Sequence, residues 1–156
     1  MYCKALHADS DWAGCPMTYR STTGWVFFLA GGPVSWLSKK QSCVALSSTE
    51  AEYVALCSAG CESIFLRGVL EELQAPQSAS TELFEDNYGC VQLTKDFVHH
   101  TRTKHIHIKY HKIKELVADA TVRVVQVPTR WQLADFFTKI HGPTMFLRLR
   151  RLILGS

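Results

Sequence analysis

The sequence lacks any uninterrupted apolar run close to the roughly 20 residues that a membrane-spanning helix needs. Residues 1–8 include His7 and lead into Asp9, where a signal peptide would need an apolar stretch. Internal repeats and low-complexity linkers are also missing. With 47% hydrophobic and 20% charged residues, the composition excludes intrinsic disorder and collagen-like structure. We therefore expect residues 1–156 to form a single packed domain inside the cell, with no membrane partner.

Cysteine occurs six times but never as a C-x-x-C pair. Neither a zinc knuckle nor a thioredoxin-type motif can be built locally from such spacing, so we expect reduced and mostly buried thiols. His107 and His111 have the spacing of metal ligands on a helix, but no cysteine follows Cys90. The surface of a helix is therefore the favoured interpretation of these histidines, ahead of a zinc site.

Basic residues are scarce in the first part of the chain. Residues 1–94 contain five Lys/Arg against ten Asp/Glu, whereas residues 95–156 contain twelve against four. The net charge is therefore −5 for residues 1–94 and +8 for residues 95–156. This asymmetry indicates a C-terminal surface that meets a polyanion, and a helix with a solvated basic face is the alternative.

Hydrophobic periodicity and turn residues predict five strands and five helices in the order βββ, α, β, αα, β, αα. A meander followed by β-α-β units implies an α/β fold, with a mixed five-stranded sheet flanked by helices. Thr129 and Gln132 form a capping box that predicts a helix continuing to Lys139. The predicted strands are 5–10, 22–29, 33–38, 81–86 and 121–127, and the other helices are 47–73, 88–95, 101–118 and 144–154.

Glu52 lies on the apolar stripe of the long predicted helix. At 100° per residue it has the same angle as Leu70, whereas Glu50 points about 160° away from the stripe. Ser47 and Glu50 satisfy a capping box, so capping does not explain Glu52. A carboxylate that faces the sheet needs a partner. The alternative is a solvated position at the edge of the stripe.

Three more acids lie where strands end or the next helix begins. Asp9 ends the first predicted strand, Asp86 ends the fourth, and Asp135 lies one turn into the helix after the last. Each has an alternative role as a turn former, an N-cap or a charge near a helix dipole. Together with Glu52 they would repel one another unless divalent cations lay between them, and carboxylate oxygens suit Mg²⁺ or Mn²⁺.

Six segments in order resemble the ribonuclease H domain of copia-type (Pseudoviridae) retrotransposon Pol polyproteins. The resemblance covers nearly the whole chain. The segments are ADSDWAG (8–14), RSTTGWVFFLAGGPVSWLSKKQ (20–41), ALSSTEAEYVAL (45–56), EDN (85–87), RTKHIHIKYH (102–111) and VPTRWQLADFFTK (127–139).

The resemblance implies the ribonuclease H-like fold and metal-dependent hydrolysis of the RNA strand of RNA–DNA hybrids during reverse transcription. It implies that Asp9, Glu52, Asp86 and Asp135 are both catalytic and metal-binding. Two Mg²⁺ ions, for which Mn²⁺ can substitute, would be held with Asp9 as the bridging ligand. The implied partners are the hybrid and a reverse transcriptase domain of the same polyprotein, in the cytoplasm or in virus-like particles. The alternative is a catalytically silent or domesticated domain that binds nucleic acid or protein.

Contacts to the substrate are expected from the start of the long helix and from the basic region. Ser47 and Ser48 are candidates to donate hydrogen bonds to a phosphate. Related ribonucleases H carry a histidine shortly before the last acid, but residues 113–139 contain none. Either water and metal manage without it, as the resemblance to the copia type implies, or His105 or His107 substitutes from another element. The full set of candidate substrate-binding residues is Ser47, Ser48, Asn87, Arg102, Lys104 and His105.

Overall fold

The computed structural model describes residues 3–95 and 104–155, with side chains from residue 6 onward and from residue 111 onward in the second range. The strands and helices follow the predicted order. Strands are β1 (Cys3–Asp11), β2 (Thr22–Leu29), β3 (Gly32–Lys40), β4 (Thr81–Glu85) and β5 (Val122–Gln126). Helices are α1 (Ser48–Glu72), α2 (Tyr88–Lys95), α3 (Lys104–Ala118), α4 (Asp135–Thr138) and α5 (Pro143–Leu154), with a 3₁₀ turn at Thr129–Trp131.

The five strands form one mixed sheet in the order β3-β2-β1-β4-β5. β1 pairs antiparallel with β2 and β2 antiparallel with β3, whereas β4 pairs parallel with both β1 and β5. The predicted mixed five-stranded sheet is therefore confirmed. Because β1 and β4 are parallel neighbours, their carboxyl ends meet at the same edge of the sheet. The residues at those ends, Asp9 and Glu85, are thus brought close together.

Helix α1 covers one face of the sheet and supplies much of the core. Tyr53, Leu56 and Ala59 pack with Leu6 and Leu83 of the two central strands. In length and composition α1 could cross a membrane, and it is the one helix of the described residues that meets this test. Half of its apolar window is buried inside the fold, which is the usual state of a core helix.

On the other face, α4 lies against β2 at Gly24. A Cβ atom at Gly24 would come within 2.9 Å of the Phe137 Cβ and 3.1 Å of the Ala134 carbonyl oxygen. Such distances are shorter than van der Waals contact, so only glycine allows α4 to lie this close to the strand. Asp135 is the first residue of α4. The position of that carboxylate therefore depends on the absence of a side chain at residue 24.

The continuous helix predicted from Thr129 to Lys139 is wrong. The chain forms a short 3₁₀ turn, then a bend, and only then the four residues of α4. Gln132, predicted to cap a helix, is buried, and its amide nitrogen donates to the carbonyl oxygens of Ala8 at 2.7 Å and Phe84 at 3.3 Å. These contacts with β1 and β4 show how tertiary structure overrides the local helical preference of the segment.

We predict that Gly24→Ala destabilises the protein by about 1–3 kcal/mol, because α4 has to move away from β2 to accommodate the methyl group. Urea unfolding measures this change. Gly68→Ala is the control, since a Cβ atom at this position in α1 meets nothing within 4 Å. That control should be neutral or stabilising by up to about 1 kcal/mol. Equal effects of the two substitutions would show that the close approach of α4 is not needed.

Candidate active site

Three carboxylates converge at the edge of the sheet where β1 and β4 end. Asp9 comes from β1, Glu52 from the second turn of α1, and Asp86 directly follows β4. Oxygen atoms of the three side chains all lie within 4.8 Å of one another. Three acids that are far apart in the sequence therefore face one point, where they could share a bound cation.

Two of the three acids are buried, Asp86 is half-buried, and two of the oxygens have no protein partner. Asp9 is fully buried and Glu52 is 7% exposed. Asp9 Oδ1 and Glu52 Oε2 receive no hydrogen bond. Burial raises the pKa of Asp9 to about 6, and burial together with Glu85 and Asp9 raises the pKa of Glu52 well above its usual value. Hard oxygen atoms left unpaired in this way are suited to Mg²⁺ or Mn²⁺.

Asp135 lies beside Asp9 but outside the group of three. The connection between them is the ammonium group of Lys139, which lies 2.5 Å from Asp135 Oδ1 and 3.5 Å from Asp9 Oδ2. The Thr138 hydroxyl also donates to Asp9 Oδ2. Thr138 and Lys139 reach Asp9 because α4 is held against the sheet by Gly24 and Gln132. The fourth predicted acid is thus brought to the same edge of the sheet.

A further acid, Glu85, was missed by the sequence analysis. It is fully buried, and burial raises its pKa to about 8. One carboxylate oxygen accepts the Asn87 N–H at 3.0 Å, while the other has no partner. A signal was present in the sequence. Residues 81, 83 and 85 alternate with residues 82 and 84 along β4, and this period of two places Glu85 on the buried face with Leu83.

The predicted contacts at the start of α1 have local structural roles. The Ser47 hydroxyl accepts the Glu50 N–H at 3.1 Å, and Glu50 Oε2 accepts the Leu46 N–H at 2.8 Å. Glu50 is thus occupied in capping, and Glu52 faces the interior as the helical wheel placed it. Ser47 and Ser48 are both exposed, so the hydroxyl groups at this helix terminus are accessible to solvent.

Of the other candidate substrate-binding residues, the structure describes only the side chain of Asn87. Asn87 Oδ1 accepts the Cys90 N–H at 3.0 Å and so caps α2. Arg102 lies outside the described residues. Lys104 and His105 open α3, but their side chains are outside the described part of the chain. One histidine that the sequence analysis left out, His141, has Nε2 2.8 Å from the Asp135 carbonyl oxygen.

Comparison with curated proteins places this chain among transposon polyproteins. It is 39% identical over 147 residues to the retrovirus-related Pol polyprotein from transposon TNT 1-94 of Nicotiana tabacum. It is also 42% identical over 144 residues to that from transposon RE1 of Arabidopsis thaliana. These matches cover 94% and 91% of the chain. The chain is a homologue of retrovirus-related Pol polyproteins. It spans about a tenth of the length of these relatives, and no protein-family profile matches it.

Solved structures show which fold this chain adopts. The N-terminal RNase H domain of a Mycobacterium tuberculosis protein superimposes with a TM-score of 0.59 at 15% identity, covering 94% of both chains. LC11-RNase H1, in a structure with an RNA/DNA hybrid, gives a TM-score of 0.60 at 17% identity, covering 85% of this chain and 91% of that one. The fold is that of ribonuclease H, and the resemblance found in the sequence motifs is confirmed.

We predict that, without divalent cations, the stability of the protein falls between pH 6.5 and 8. In the unfolded chain Glu85 is already ionised in this range, whereas in the folded protein it keeps its proton until about pH 8. The folded state therefore binds more protons than the unfolded state. For each proton that only the folded state retains, the unfolding free energy falls by up to about 1.4 kcal/mol as the pH rises by one unit. Glu85→Gln should weaken this pH dependence, which thermal unfolding at several pH values measures.

Glu82→Gln is the matched control for this measurement. Glu82 lies on the same strand, where its carboxylate pairs with Arg123 at the surface. The Glu82→Gln substitution should leave the slope of unfolding free energy against pH unchanged. A Glu85→Gln variant with the slope of the unmodified protein would contradict the buried, protonated state of Glu85.

Proposed function

We propose that this domain is a metal-dependent ribonuclease H that hydrolyses the RNA strand of RNA–DNA hybrids for a retrotransposon. The observation that supports this most strongly is the convergence of Asp9, Glu52 and Asp86 within 4.8 Å, with buried oxygens that have no protein partner. A module that only binds nucleic acid has no use for carboxylates that repel both one another and the phosphate backbone. The same repulsion is useful in a site that binds cations.

The donor set fits two divalent ions. Glu52 and Asp86 would hold one ion with Asp9, and Asp135 would hold the other, again with Asp9 as the shared ligand. Such ions would supply activation of an attacking water and charge stabilisation for the leaving oxygen of a phosphodiester. Mg²⁺ is the expected metal, and Mn²⁺ has the same preference for carboxylate oxygens.

The residues of the chain contribute position and charge. The Thr138 hydroxyl fixes Asp9 Oδ2, and Gln132 ties the segment before Asp135 to the backbone next to Asp9. Since Ala8 and Phe84 directly precede the acidic ends of β1 and β4, the bonds of Gln132 fix both strands relative to α4. The carboxylates are therefore preorganised by buried polar contacts rather than by loops.

An RNA–DNA hybrid is the substrate we propose, and one of the structural neighbours was solved with such a hybrid. Its backbone shape and 2′-hydroxyls would be read without a base code. The partner we propose is a reverse transcriptase of the same polyprotein. The Pol polyprotein relatives support it, as does the similarity to the prototype foamy virus protease-reverse transcriptase, with a TM-score of 0.54.

We predict that Asp9→Asn and Glu52→Gln each reduce cleavage of a labelled RNA–DNA hybrid in Mg²⁺ by more than the roughly 100-fold that outer-shell changes cost. In the absence of metal, Asp9→Asn should also raise the melting temperature, because it removes a buried charge. Glu50→Gln is the control, since the amide oxygen of glutamine can still accept the Leu46 N–H and the change costs at most about 1 kcal/mol of stability. Normal cleavage by the Asp9 variant, or strong loss in the Glu50 variant alone, would refute the proposed site.

We predict further that replacing Arg102 and Lys104 by alanine weakens binding to hybrids of unrelated sequence by similar factors. The slope of log K against log salt concentration should flatten by about one for each phosphate that the variant no longer neutralises. Fluorescence anisotropy at several salt concentrations, with the cleavage-deficient Asp9→Asn protein, measures both quantities. Unchanged affinity and slope would show that this part of the chain is only a solvated basic face.

A further inference from the structure

Lys139 is a half-exposed cation at the rim of the acidic site. Its ammonium nitrogen lies 2.5 Å from Asp135 Oδ1 and 3.5 Å from Asp9 Oδ2. Asp9 is fully buried and belongs to the central strand, so this is a tertiary contact. The ion pair therefore differs from an exposed pair along one helix, which contributes little.

The ammonium group balances carboxylates that otherwise repel one another. Burial lowers the pKa of Lys139, but Asp9 and Asp135 raise it more, so that it lies above its ordinary value. Lys139 is consequently charged at neutral pH. It also opposes the rise that burial causes in the pKa of Asp9. In the metal-free protein, Lys139 thus supplies positive charge between the two acids.

A divalent ion shared by Asp9 and Asp135 would need the same space. Mg²⁺ binds carboxylate oxygens at about 2.0–2.1 Å, and an ammonium group in contact with the same oxygens both repels the ion and occupies its ligands. Lys139 has a flexible four-carbon side chain that is 40% exposed, so the ammonium group can move into solvent. Only one of the two cations can use Asp135 Oδ1 and Asp9 Oδ2 at a time.

We propose that Lys139 is a built-in counter-ion for the cation position between Asp9 and Asp135, and that a divalent ion binds there by displacing it. This inference rests on the proposed function, because it takes Asp9 and Asp135 as metal ligands. It adds that Lys139 sets the affinity of one of the two ions. The lysine keeps the metal-free site folded. The ion between Asp9 and Asp135 has to displace it, so we expect this ion to bind more weakly than the other, and we call it the weaker ion.

Metal titration of three variants tests this proposal. Two of them remove one positive charge each, at different places, and the third keeps the charge. The variants are Lys139→Met and Lys139→Arg, with Lys95→Met as the control because Lys95 is exposed at the end of α2. By calorimetry with Mg²⁺, Lys139→Met should bind the weaker ion about 10-fold more tightly. Lys95→Met should change this affinity less than about 2-fold, through screened long-range charge alone. Lys139→Arg should stay within a few-fold of the unmodified protein.

Two further readouts separate displacement from a purely structural role. The Mg²⁺ concentration for half-maximal cleavage should fall in Lys139→Met by a factor similar to the gain in affinity, and stay constant in Lys95→Met. In the unmodified protein, the Lys139 amine should react slowly with an acylating reagent when metal is absent and faster when Mg²⁺ is saturating. Lys95 provides the internal reference for this labelling, which mass spectrometry quantifies and which requires no variant to fold.

The possible failures are distinguishable. If the unmodified protein binds Mg²⁺ and cleaves hybrids, but Lys139→Met binds Mg²⁺ no more tightly, the counter-ion role is refuted and the proposed function stands. Labelling of Lys139 that is independent of Mg²⁺ refutes displacement in the same way. If neither protein binds Mg²⁺ or cleaves hybrids, the proposed function fails together with the inference.

Discussion

Repulsion among buried carboxylates is the constraint on which the rest of this structure depends. Asp9, Glu52, Glu85 and Asp86 lie at one edge of the sheet, and several of their oxygens have no hydrogen-bond donor. Burying carboxyl groups without hydrogen-bond partners costs free energy, which a domain of ordinary stability tolerates only if the rest of the core compensates. The packing of α1 against β1 and β4 provides that compensation, and it also fixes the separation of the acids.

Local polar contacts hold α4 and its side chains in place beside the acids. Gln132 bonds to the strands next to Asp9 and Glu85, and Gly24 lets α4 approach close enough for Thr138 to reach Asp9. The segment that carries Asp135 is only a short helix and could not hold its own position. Buried bonds to the central strands therefore replace helix length as the source of rigidity.

The sequence was sufficient for the order of the strands and helices and for the orientation of Glu52, because both follow from local periodicity and capping. It was insufficient for Gln132, whose role as a capping residue was plausible until its amide was found bonded to two distant strands. Glu85 was overlooked because its neighbour Asp86 carried the motif, although the alternation of β4 placed Glu85 inward. The contact of Lys139 with Asp9 depends on tertiary approach and leaves no mark on local pattern, whereas its pair with Asp135 has the i, i+4 spacing of a helix.

Three means of neutralising the acidic site can be distinguished by what they exchange for a metal ion. Protons on Glu52 and Glu85 reduce the negative charge at neutral pH, the Lys139 ammonium supplies positive charge beside Asp9, and divalent ions would do both. Each is linked to the others, since an ion that enters must release protons or displace the lysine. A metal-bound site would therefore have a net charge similar to that of the metal-free site, although it would hold different cations. The same carboxylates would then stay buried in both states.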